Sequence, residues 1–92
     1  MAQNLADIAA SPVISTEFVR EMTQLVIDIM GPMGEIVVDD AVYDLGLEQN
    51  AIPESSLNEL LTEIKAQFKR DDWRREFEIQ IRRLQDRFRL RA

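Results

Sequence analysis

From Phe18 to Phe88 the apolar residues of this chain recur every three or four positions, in runs separated by turn-forming residues. That period lays apolar side chains along one face of a helix, so it commits the chain to helices that must cover one another. The longest such run is Trp73, Phe77, Ile81, Leu84 and Phe88, spaced by four, four, three and four. It makes an amphipathic face that reaches almost to the C-terminus.

The start and stop signals divide the pattern into four helices. Ser15 and Thr16 offer hydroxyls to the first unpaired backbone N–H groups, and Glu17 sits at the positive end of the helix dipole. Phe18, Met22, Leu25, Val26 and Ile29 then form one face of a helix over 15–30. Gly31-Pro32 ends it, the glycine permitting a left-handed cap and the proline breaking the hydrogen-bond ladder. Proline also suits the first turn of a following helix over 32–45, carried by Met33, Ile36, Val37, Ala41, Val42 and Leu45 and closed by Gly46. The β-branched run Ile36-Val37-Val38 leaves a short strand as the alternative there. Residues 47–53 form a connector. Ser56 and Glu59 fit a capping box at the head of a third helix over 56–69, with Leu57, Leu60, Leu61, Ile64 and Phe68 on one side. Asp71 or Asp72 opens a fourth helix over 72–90, unless both lie inside one long helix that includes the third.

Residues 1–14 are weakly patterned and are expected to be a flexible lead-in, with a helical turn at Leu5–Ala9. The alternative is that Leu5, Ile8, Val13 and Ile14 dock on the core. Residues 15–92 then make one all-α domain, a small bundle of about four helices in antiparallel hairpins, because short connections favour antiparallel neighbours. Helices one and two pair across Gly31-Pro32, the third packs on them, and the basic last helix extends outward. The expected core is Phe18, Leu25, Ile29, Ile36, Val42, Leu60, Leu61, Ile64 and Phe77, each contributing ~1.5–3 kcal/mol of burial before entropy is subtracted.

Charge is divided as sharply as hydropathy. Residues 1–64 hold twelve acidic side chains and one basic one, Arg20; residues 65–92 hold ten basic and five acidic. The two parts carry −11 and +5, which sum to the net charge of −6. Such a split makes the two parts attract each other or address different partners, and it favours binding over chemistry. The chemistry is narrowed further by the absence of cysteine and histidine. Disulfides and thiolate metal sites are excluded, and the commonest general base and transition-metal ligand are missing. No nucleophile–base pair or cofactor loop stands out, so no catalytic residue, cofactor or metal is assigned and no enzyme activity is expected. No apolar run approaches the roughly 20 residues of a membrane span, and the N-terminus lacks the pattern of a secretory signal. A cytoplasmic location follows as the expectation.

Three constellations remain. Gly31-Pro32-Met33-Gly34 has neither dinucleotide nor P-loop spacing and reads as a tight turn that lets two helix backbones approach. Glu35, Asp39, Asp40 and Asp44 pair like charges four apart, which weakens a helix by a few tenths of a kcal/mol. They make a solvated face, or pair with arginines of this or another chain; a metal site lacks the loop geometry that calcium requires. The third is the arginine-rich C-terminal helix, in which Trp73, Arg74, Phe77, Ile81 and Arg82 are candidate partner-binding residues together with Arg83, Leu84, Arg87 and Phe88. Arginine suits bidentate contacts to carboxylate or phosphate and stacks on aromatic rings. The apolar stripe between the arginines runs beyond what the body is expected to cover, and so points to an associating surface. A solubilising basic flank is the bland alternative. Trp73 fits a partly buried anchor between helices better than a binding hot spot.

The order Leu25 to Met30, Gly31-Pro32, Met33 to Leu45, Ser56 to Ile64, then Arg74-Arg75-Glu76-Phe77 resembles a small helical domain of unknown function found in bacterial signalling and regulatory proteins. The resemblance spans roughly residues 17–80. The chain departs from it by its long basic tail. The resemblance implies an interaction role and carries over no catalytic residue. The expected function is therefore a non-catalytic protein–protein interaction or adaptor module in bacterial signalling or regulation. It would work as a homo-oligomer or on an acidic or apolar protein surface. The alternative is a nucleic-acid-associated regulator using the same basic helix, which the acidic body disfavours.

Overall fold

The computed structural model describes residues 12–90. Four α-helices follow one another: α1 (Thr16–Met30), α2 (Met33–Asp44), α3 (Leu57–Ala66) and α4 (Asp71–Arg87), with one 3₁₀ turn, Glu54–Ser56, ahead of α3. The fold is an all-α small bundle, as the periodicity predicts. The turn expected at Leu5–Ala9, and any docking of Leu5 and Ile8, lie outside the described residues.

Local chemistry sets most boundaries. Ser15 caps α1, its hydroxyl accepting a 3.0 Å hydrogen bond from the Phe18 N–H. Gly31 ends α1 with φ 94°, and its N–H donates to the Ile27 carbonyl at 2.7 Å. Few residues other than glycine adopt such a φ without strain. The capping box at Ser56 does not form. Ser56 already lies in the 3₁₀ turn in a helical conformation, and its side chain makes no cap hydrogen bond. An extended backbone at the cap is what aims the hydroxyl at the N3 amide.

α1 and α2 pack as a hairpin around Gly34. A Cβ built there would stand 2.7 Å from the Ile27 N and 2.8 Å from the Ile27 Cα, closer than carbon approaches backbone. This contact fixes the roll of α2 and decides which apolar residues turn inward. Gly34, Val38, Ala41 and Val42 are buried, while Met33 is 58% and Ile36 49% exposed. Ile36 is thus not a core residue, contrary to the spacing argument. α2 is apolar around much of its circumference, so periodicity alone could not choose its inner face.

The helices α3 and α4 are separate. Gln67 and Phe68 donate back to the Ile64 and Lys65 carbonyls at 3.0 and 3.1 Å, tightening the last turn of α3. Arg70 is extended, with φ −115° and ψ 136°, and α4 starts at Asp71. The helix expected over 56–69 therefore stops at Ala66, yet Phe68 beyond it is still buried and meets Phe77 edge-on, ring centroids 5.3 Å apart. Nor does the last helix extend outward. α4 lies against α1, burying Phe77, Ile81 and Leu84, while Phe88 meets Phe18 edge-on at 5.5 Å.

The segment before α1 and the connector between α2 and α3 are tied together. The Ile14 N–H donates to the Ile52 carbonyl at 2.7 Å and the Glu54 N–H to the Pro12 carbonyl at 3.0 Å, an antiparallel bridge of Val13 with Pro53. Ile14 is 2% exposed and Ile52 fully buried. Residues 12–14 are therefore part of the body, and the lead-in reading does not hold for them.

Candidate interaction surface

The nine residues singled out on the last helix separate by the face they occupy. At about 100° per residue, the core side of α4 carries Phe77, Ile81 and Leu84, all buried. Trp73 and Phe88 are half-buried at its edges and pack against the core cluster. The apolar stripe is thus covered by α1 and α3 and is not a free associating surface. So small a body covers the stripe because α4 packs against α1.

The arginines among the nine divide in turn. Arg74 bridges the break between α3 and α4: its Nη2 donates to the Phe68 carbonyl at 2.8 Å and its Nη1 to Asp71 Oδ1 at 2.7 Å. Arg87 pairs with Glu21 of α1 and lies over the Phe88 ring, 5.6 Å from its centroid. Both hold the fold together. Arg82 and Arg83 are exposed and form no ion pair among the described residues.

Three further residues join Arg82 and Arg83. Arg75 and Ile79 lie on α4 opposite the core, and Arg89 follows just after the helix; all are exposed. Ile79 is 46% exposed, a large apolar side chain amid arginines. Asp86 is the acid within this strip. The signal that would have found Ile79 is its place outside the 73-77-81-84-88 series: an apolar residue out of step with the stripe faces the other way.

At the head of α4, Arg70 grips Asp72 with two hydrogen bonds, Nε to Oδ1 at 3.0 Å and Nη2 to Oδ2 at 2.8 Å. This grip is the main reason the Asp72 carboxyl is held below the usual carboxylate range and the Arg70 guanidinium above its own. The Arg70 guanidinium also lies over Trp73, 5.2 Å from the ring centroid. Trp73 is thereby an anchor at the α3–α4 corner.

The acidic part of the chain presents a second surface. Glu35, Asp39, Asp40 and Asp44 on α2 are all exposed and enter no ion pair among the described residues; Asp39 accepts a hydrogen bond from Gln49. Beside them stand Met33, Ile36 and the 82% exposed Tyr43. Among the described residues a single ion pair, Arg87–Glu21, links the acidic first part of the chain to the basic second part. The separated charges face outward and are not spent on one another.

These features define a small helical bundle with two oppositely charged faces. Residues 17–89 match the model of a family described as a domain of unknown function, DUF8082, and the chain belongs to that family. No curated protein and no solved structure matches it.

Proposed function

We propose that this domain is a non-catalytic protein-interaction or adaptor module of bacterial signalling or regulation, and that it docks an acidic protein surface through the outer face of α4. The observation that carries this reading is the strip Arg75, Ile79, Arg82, Arg83 and Arg89. Its arginines have no ion-pair partner among the described residues, and they surround an exposed isoleucine. Arginine around an apolar anchor is the composition of a docking patch: the anchor excludes water, and the guanidinium groups orient carboxylates. Phe77, Ile81 and Leu84, on the core side of α4, are buried in the fold and take no part in docking. The net charge of −6 supports a protein partner over a nucleic acid, whose binding draws on long-range attraction to phosphate.

The test is a photo-crosslinking residue at position 79, used in bacterial cells, with the same residue at the exposed Ala51 of the α2–α3 connector as the control. Position 79 is expected to capture protein, and Arg82→Glu/Arg83→Glu to abolish capture. Capture of nucleic acid in its place, or equal capture from both positions, overturns the reading.

A further inference from the structure

The structure holds two outward faces of opposite sign, and they fit each other. On α2, Met33, Ile36, Asp40 and Tyr43 recur at three, four and three, so they share one side of the helix, flanked by Asp39 and Asp44. No basic residue lies between Thr23 and Glu63, so nothing within this segment offsets the acids. The strip around Ile79, on α4 and just after it, carries four arginines without an ion pair among the described residues. Both faces lie on helices of several turns: twelve residues of α2 span about 18 Å, and the seventeen of α4 about 26 Å. Both helices pack on α1 and scarcely touch each other, so the faces look out from different sides of the bundle. A molecule cannot bring its own two faces together.

We infer that the occupant of the α2 face is the basic α4 face of a second copy of this chain, so that the domain self-associates head to tail. The inference rests on the α4 face being a docking surface, as proposed above, and adds a partner for it. Tyr43, Ile36 and Met33 would cover Ile79, while Asp40 and Asp44 would meet Arg82 and Arg83. The two patches differ, so the contact is heterologous, and each copy keeps one free face after the first contact. The net charge of −6 opposes approach at long range, so the contact is weak and sensitive to salt.

The experiment is light scattering after size exclusion over a range of concentrations, at about 30 mM and about 500 mM salt, where screening lengths lie well above and well below 10 Å. The native chain is expected to gain mass with concentration at low salt and to be monomeric at high salt. Asp40→Arg/Asp44→Arg and Arg82→Glu/Arg83→Glu are each expected to be monomeric alone. Mixed, they restore association, because the untouched α4 face of the first variant meets the untouched α2 face of the second, and their two reversed faces match as well. Circular dichroism of each variant establishes that it is folded. A native chain monomeric throughout, association unchanged in Asp40→Arg/Asp44→Arg, or a mixture that stays monomeric overturns the inference. If self-association fails while position 79 still captures another protein in an Arg82- and Arg83-dependent way, the docking function survives without this partner.

Discussion

Gly34 does the most for the least mass. Its missing Cβ lets the α1 and α2 backbones touch, and that touch rolls α2 so that Val38, Ala41 and Val42 enter the core while Met33 and Ile36 turn to solvent. Gly34→Ala is expected to destabilise the fold by ~1–3 kcal/mol, because the new methyl meets backbone that cannot rotate away. Urea unfolding measures it; an unchanged midpoint would show that the hairpin tolerates wider spacing. Such a contact has no signature in the spacing of apolar residues. The motif Gly31-Pro32-Met33-Gly34 announced a tight turn, and the close approach was legible, but its consequence for the roll of α2 was not. Ile52 escaped for a related reason. It is an apolar residue in a segment without period, buried by a backbone bridge to Ile14, 38 residues away in sequence, whose docking was the alternative reading of the N-terminal segment.

At the scale of the element, the break between α3 and α4 is held by a small set of polar groups. Arg74 satisfies the Phe68 carbonyl beyond α3, and Arg70 clamps Asp72 at the start of α4. The sequence left open whether α3 and α4 were one helix, because two adjacent aspartates serve a cap and a solvated helix equally well. The folded Asp72 carboxyl titrates below its ordinary value, so the stabilisation from this clamp is complete above the usual carboxylate range. It fades as pH falls through the lowered folded value. Carboxyl-carbon NMR of Asp72 is expected to give a midpoint below the usual ~3.9, returning towards it in Arg70→Ala. An ordinary midpoint in the native chain would remove the clamp from the account. The four helices themselves were legible to within a residue or two at most ends. Their caps were less so: Ser15 acts as expected, whereas Ser56 is drawn into a 3₁₀ turn that no local motif announced.

For the whole molecule, the organising fact is that hydropathy and charge are sorted onto different surfaces. The aromatic stripe of α4 closes the interior against α1 and α3, and the arginines left over point away from it. The stripe was visible in the sequence, and so was the excess of arginine. What the sequence could not show is which of the two remains free, since that depends on how much of α4 the other helices cover. Leu84 and Phe88 read as a free surface from spacing alone; packed on α1, they belong to the body. The residues that stay free are Arg75, Ile79, Arg82, Arg83 and Arg89. Comparing the unfolding of Leu84→Ala with that of Arg82→Glu/Arg83→Glu in denaturant tests this division most directly. Leu84→Ala is expected to lose about 2–3 kcal/mol, as a buried leucine does, while the double reversal stays within about 0.5 kcal/mol of the native chain. A reversal as costly as the leucine truncation, or a truncation without cost, would contradict it.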